Sequence, residues 1–389
     1  MSEFDRYIDR RESGGYKWDS CDDPEVLPLW VADMDFKTAP VVIEALRERV
    51  DHGVFGYTLV SDTYYNALIN WFATRHGYRF EKHQVIYTSG VVPAISAIIK
   101  ALAPEGSKVV VQTPVYNCFF SSIRNNGCII AESPLKRVDT APGTFTYAMD
   151  FDALECICSE ESTRLMLLCN PHNPAGRCWS RGELQRVADI CHANGVTVVS
   201  DEIHCELTMP GHTYIPYGTI DPDAIVCVSP SKAFNTAGLQ IANIICPDET
   251  VRKAVDRAIN INEICDVNPF GPAALIASYS HKGAEWLENL KEYLHENWLY
   301  AKDVLTRRLP YCPVAELEAT YLLWMDVSAF GINSTQMEEE LLQKAKVWLN
   351  CGDMYGKDGY MRINLACPRS TLALALDRVC AYLENMPRR

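Results

Sequence analysis

Ala224-Ile-Val-Cys-Val-Ser229, running directly into Pro230-Ser-Lys-Ala-Phe-Asn-Thr-Ala-Gly-Leu-Gln240, decides how this chain is read. The first six residues form a continuous apolar run of strand length, and Lys232 follows just past its end. An amine set there is partly desolvated. Its pKa falls, and it becomes competent to condense with a carbonyl group. Ser229 and Ser231 add two small hydroxyls that can donate to a phosphate. An isolated Ser-Lys pair is more often a solvated surface feature, so the reading depends on partners elsewhere.

Three partners stand upstream, each where a strand or turn pattern ends. In TVVSDEIHCEL, Val196 to Ser200 reads as a short buried strand, so Asp201 falls at its carboxyl end, where doubly wound sheets place ligand-contacting groups. A carboxylate there can keep a pyridine-type nitrogen protonated; as a lone residue it is more simply a helix N-cap. In LMLLCNPHNPAG, the run Leu165 to Cys169 enters a turn in which Asn173 can donate its side-chain amide to a phenolate oxygen, whereas Asn170 reads as a turn former. In SGVVPAISAIIKAL, Gly90 opens a helix whose apolar positions Val91, Ile95, Ile98, Ile99 and Leu102 follow helical spacing. The free amides of Gly90, Val91 and Val92 lie at its positive end and offer a phosphate cradle.

These residues, in this order, resemble fold-type I pyridoxal-phosphate-dependent enzymes of the class I aminotransferase superfamily. The runs WVADMDF (Trp30 to Phe36), FGYT (Phe55 to Thr58), TPVYNCFF, SDEIHCEL, SPSKAFNTAGLQ and RINLACPR are similar to those of its MalY/PatB branch of cystathionine β-lyases, from about Trp30 to the C-terminus. The resemblance implies a homodimer using pyridoxal 5′-phosphate on a small amino-acid substrate. Lys232 would bond the cofactor and shuttle the proton, Asp201 would face the ring nitrogen, and Asn173 the phenolic oxygen. His204 stands where the wider superfamily has a tyrosine on that same oxygen. Tyr116 would stack on the ring as part of the catalytic set, Tyr57 would reach the site of the neighbouring subunit, and Arg362 would take the substrate carboxylate. Gln240 replaces an arginine that aminotransferases usually carry eight positions after the lysine, leaving the phosphate to Ser229, Ser231, Tyr57 and the Gly90 amides. The activity implied is cleavage of L-cystathionine or a related cysteine S-conjugate to a thiol, pyruvate and ammonia. An aminotransferase is the alternative, and a binding protein that modulates a transcriptional activator is a third reading.

Composition sets the frame. The 389 residues suggest more than one domain, expected as a large unit over 46–280 and a small one from 1–45 with 281–389. Apolar runs at 109–113, 165–169, 196–200, 224–229 and 242–246 alternate with helical patterns, which predicts an α/β fold with a doubly wound, mostly parallel sheet plus a smaller α/β domain. Ser180 with Glu183 forms a capping box ahead of Leu184, Val187, Ala188 and Cys191, and Asn194-Gly195 ends that helix. A net charge of −14 argues against a nucleic-acid partner. The polar N-terminus and the lack of a long apolar stretch predict a cytoplasmic protein without a membrane contact. The 16 cysteines are scattered through apolar segments without a CxxC pair, so reduced thiols and no metal are expected.

Overall fold

The computed structural model describes residues 2–388 apart from 262, 264 and 265. Its central sheet has seven strands in the spatial order Val85–Thr88, Ala242–Ile245, Ile225–Val228, Thr197–Asp201, Thr163–Cys169, Lys108–Val111, Ile129–Glu132. All five apolar runs picked out in the sequence lie in it. Four pair in parallel; the Ala242–Ile245 strand runs antiparallel to both of its neighbours.

The runs read as unbroken rather than alternating because both faces of the sheet are covered. Val109, Val111, Leu165, Leu167 and Val199 pack on one side among Ile95, Ile98 and Ile99 of the helix Val91–Leu102. Val110, Met166, Leu168 and Val198 point the other way, against Leu184, Val187 and Cys191 of the helix Arg181–Ala193. Period-2 alternation thus persists, with apolar residues in both phases. Each fully buried isoleucine contributes roughly 1.5–3 kcal/mol of transfer free energy. The capping box that opens Arg181–Ala193 is formed as expected: Ser180 Oγ accepts from the Glu183 amide while Glu183 accepts from the Ser180 amide.

A second sheet orders Asn350–Cys351, Tyr360–Asn364, Leu322–Asp326, Val314–Ala315, Thr144–Ala148, Lys136–Ala141. Its core is closed by the helices His281–Arg308 and Arg369–Glu384, with Trp286, Tyr293 and Trp298 of the former all buried. The short strand Leu27–Pro28 pairs in parallel with Val347–Trp348, and the chain then runs as an irregular segment from Trp30 to Phe36 toward the end of the central sheet.

No helix among the described residues is long and apolar enough to cross a membrane. The described cysteines are all free thiols, most of them buried.

Candidate active site

Parallel strands end on the same side, and register brings three chemical positions together. Cys169 lies opposite Asp201, and Asp201 opposite Cys227, so the turns carrying Asn173, Asp201 and Lys232 leave the sheet side by side. Glu202 fastens this edge from behind. Its buried carboxylate accepts from Ser200 Oγ at 2.9 Å, the Tyr217 amide at 2.8 Å, Asn170 Nδ2 at 3.2 Å and the Tyr214 hydroxyl. Asn170 is therefore a structural tie, as its turn context suggested. Neighbouring side chains of a strand point to opposite faces, so fixing Glu202 on one side turns Asp201 to the other.

Asp201 faces a cavity of about 200 Å³, whose wall also includes Gly90, Val91, Val92, Tyr116, Asn173, His204, Ser231 and Lys232. Nine of the twelve site positions expected from sequence thus share one wall, together with Ala32, Ser89 and Ile203, which the sequence reading did not single out.

The wall carries unspent polarity. Burial pushes the Asp201 carboxyl up to about 7, although the Ile203 amide, 3.1 Å away, and the Lys232 charge pull the other way. Burial lowers the Lys232 ammonium to about 8, and the Arg362 cation adds to that fall against the pull of Asp33 and Asp201. His204 is held well below the usual imidazole range by burial and by the Lys232 and Arg362 charges, so its ring is neutral, and Nδ1 has no partner among the described residues. Asn173 Oδ1 accepts from Arg362 Nη1 at 3.4 Å, which leaves its amide hydrogens free to donate. The turn bearing Asn173 is closed by Gly176 at φ +70°, where a Cβ would come within 2.8 Å of Leu317 Cδ1. His172 Nε2 donates to the Pro114 carbonyl at 2.8 Å and so ties this turn to the segment entering Tyr116.

At the other end of the cavity, no side chain among the described residues caps the helix Val91–Leu102, so its first amides are open to an anion. Ser231 faces the same space, whereas Ser229 stands behind the wall. The Ser229 hydroxyl donates to the Ile241 carbonyl at 2.6 Å and accepts from the Ser231 amide at 3.1 Å, so it shapes the turn that presents Ser231. Gln240 is exposed with φ +52° and stays outside the wall.

Two further expected residues also lie outside the wall. Arg362 is buried behind Asn173; it donates through Nη2 to the Trp30 carbonyl at 2.8 Å, stands over the Tyr355 ring at 4.9 Å, and keeps an Nε without a partner among the described residues. Tyr57 is 97% exposed, on a segment whose Val54, Phe55 and Leu59 are exposed too. His192, unpromising as a metal ligand beside Cys191, lies 2.9 Å from the buried Asp221, with Asp223 nearby.

The segment Trp30–Phe36 drew notice only as a motif, and the structure gives it a position. Its carbonyls are held by side chains remote in sequence. Arg362 and Asn350 bond Trp30; Asn364 bonds Val31 and Asp33; Lys232 and Tyr321 bond Ala32; Asn235 bonds Met34 and Phe36. The asparagines among them, Asn235, Asn350 and Asn364, are scattered in sequence, so no local pattern marks the side-chain amides that satisfy this irregular backbone.

The assembled groups suit a flat heteroaromatic ring carrying a phosphate: a buried carboxylate short of a cation, a neutral imidazole and an amide on one edge, and open helix amides at one end. Comparison with known proteins agrees. The model of the family "Aminotransferase class I and II" matches residues 24–379. Cystathionine beta-lyase PatB of Bacillus subtilis is 39% identical over 98% of this chain and 100% of its own length. Protein MalY of Escherichia coli is 33% identical over 96% of both chains. The PLP-bound C-S lyase of Staphylococcus hominis superposes with a TM-score of 0.91 at 32% identity, covering 99% of each chain. The doubly wound, mostly parallel architecture expected from sequence is therefore that of fold-type I, and the chain belongs to the class I and II aminotransferase family, alongside the PatB and MalY proteins.

Proposed function

We propose that this protein is a pyridoxal-phosphate-dependent carbon-sulfur β-lyase, cleaving L-cystathionine or a related cysteine S-conjugate to a thiol, pyruvate and ammonia. The observation that carries the reading is the convergence of Lys232, Asp201, Asn173 and His204 on one cavity with open helix amides at its end. The names of the relatives, cystathionine beta-lyase and C-S lyase, support elimination over transamination. When bound, pyridoxal phosphate supplies a ring that can store the electron pair left at the substrate Cα.

The residues divide the remaining work. Asp201, whose charge burial disfavours, would hold a proton on the ring nitrogen of the bound cofactor. Asn173 and His204 would donate to its phenolic oxygen, the ring of Tyr116 would pack on its flat face, and Ser231 with the Gly90, Val91 and Val92 amides would hold its phosphate. Arg362 takes the substrate α-carboxylate in a charge-assisted, bidentate contact that orients the Cα–H bond. The Lys232 amine, depressed to about 8, is a base matched to neutral pH and removes the Cα proton before the thiolate leaves Cβ.

Tyr57, exposed in its own chain, serves the site of a second copy, so the enzyme works as a homodimer in the cytoplasm. The division into 46–280 and 1–45 with 281–389 belongs to the same reading. The reading is tested by incubating the holoenzyme with L-cystathionine, L-cystine and S-alkyl cysteines and titrating released thiol, with Lys232→Ala as control. Thiol from at least one substrate, absent in the variant, is expected; no thiol from any of them would refute the lyase assignment.

A further inference from the structure

Asn235 lies three residues beyond Lys232, and its side chain points away from the sheet to the irregular segment Trp30–Phe36. Its Oδ1 accepts from the Met34 amide at 3.0 Å, while Nδ2 donates to the Met34 carbonyl at 2.9 Å and the Phe36 carbonyl at 3.0 Å. Three hydrogen bonds thus span about 200 positions of sequence. The backbone of Asn235 is at φ +52°, a left-handed conformation that costs any residue with a Cβ; asparagine is among those that tolerate it best. The chain therefore accepts a local strain to aim this amide.

Ala32 belongs to the same segment and forms part of the cavity wall, with its carbonyl 2.7 Å from Lys232 Nζ and 3.0 Å from the Tyr321 hydroxyl. On its outer side the segment is anchored by Asp35, whose buried carboxylate accepts from Arg10 at 2.8 Å, Lys17 at 3.0 Å and Trp18 Nε1 at 2.8 Å. Asn235 supplies the inner anchor. Together with the Lys232 Nζ contact to the Ala32 carbonyl, it couples the position of the wall to the turn bearing the lysine.

We propose that Asn235 is a positioning residue that locks the Trp30–Phe36 segment to the Lys232 turn, setting the substrate side of the cavity while leaving the cofactor side untouched. The inference rests on the reading of the cavity as a pyridoxal-phosphate site for an amino acid. The phosphate end is built by Gly90, Val91, Val92 and Ser231, none of which Asn235 contacts through its side chain. Substrate binding should therefore suffer and cofactor retention should not.

The test uses holoenzyme of wild type, Asn235→Ala and Asn235→Gly. L-alanine, which has no β leaving group, is titrated against the cofactor absorption, and amide hydrogen exchange is followed at Met34. Both variants should retain full cofactor, bind L-alanine at least about tenfold more weakly, and exchange the Met34 amide faster, since each lost hydrogen bond weakens the tie. The glycine variant relieves the left-handed strain and should fold even where alanine does not. Wild-type affinity in either variant would overturn the proposal, because then only strain or nothing was at stake; loss of cofactor from both would overturn it by assigning Asn235 to the fold of the lysine turn. L-alanine binding reads the positioning role whether or not the wild type cleaves cystathionine, so failure of the lyase reading is distinguishable.

Discussion

Lys232 and Asp201 illustrate how far a residue's surroundings decide its chemistry. Burial works against both charges at once, lowering the ammonium toward about 8 and raising the carboxyl toward about 7. The rate of reconstitution of apoenzyme with pyridoxal phosphate should consequently rise as pH increases through about 8, because the free amine is the reactive form, and flatten above it. Arg362→Ala should move that midpoint upward by removing a cation that depresses the amine. A midpoint near the ordinary lysine value in the wild-type protein would contradict the burial argument. Asp201→Asn should still bind cofactor but lose turnover by at least about a hundredfold, as a neutral amide cannot hold the ring nitrogen protonated; near-normal kcat would make Asp201 merely structural. At this scale the sequence was informative where a polar residue ended an apolar strand, as with Asp201, or stood in the turn just beyond one, as with Asn173 and Lys232. It assigned Ser229 to the phosphate alongside Ser231, because the difference between a hydroxyl facing the cavity and one donating to the Ile241 carbonyl lies in a turn's geometry, not in residue type.

Secondary-structure elements were legible when their burial was uniform. The strands of the central sheet are apolar in both phases, and the helix Arg181–Ala193 announces itself with a capping box. Ser180→Ala should lower stability by about 1 kcal/mol, measured as a shift in the urea midpoint, with kcat unchanged because the helix lies across the sheet's far layer. A loss of activity at unchanged stability would show that the helix end communicates with the site. Less legible were the hairpin Lys136–Ala141 with Thr144–Ala148 and the direction of Ala242–Ile245. The first strand of the hairpin is exposed along its whole length and lacks any apolar periodicity, and strand direction is set by the connecting path rather than by composition. The Trp30–Phe36 segment escapes any periodicity argument, since its backbone is satisfied by Arg362, Asn364, Tyr321 and Asn235, side chains some 200 to 330 positions away.

For the whole molecule, Tyr57 stands apart from the cavity of its own chain, yet an exposed tyrosine among exposed Val54, Phe55 and Leu59 is what a surface covered by a second copy would present. Mixing Tyr57→Phe with Lys232→Ala subunits should restore activity to about a quarter of wild type, because random pairing makes half the dimers hybrid and each hybrid has one site free of both changes. Hybrid dimers without recovered activity would remove Tyr57 from the partner's site. The central claim, elimination rather than amino transfer, is tested most directly by counting pyruvate released per active site from L-cystathionine with no 2-oxoacid present. Many turnovers are predicted, since elimination needs no amino acceptor; a single half-reaction that stops until a 2-oxoacid is added, with no pyruvate formed, would contradict it.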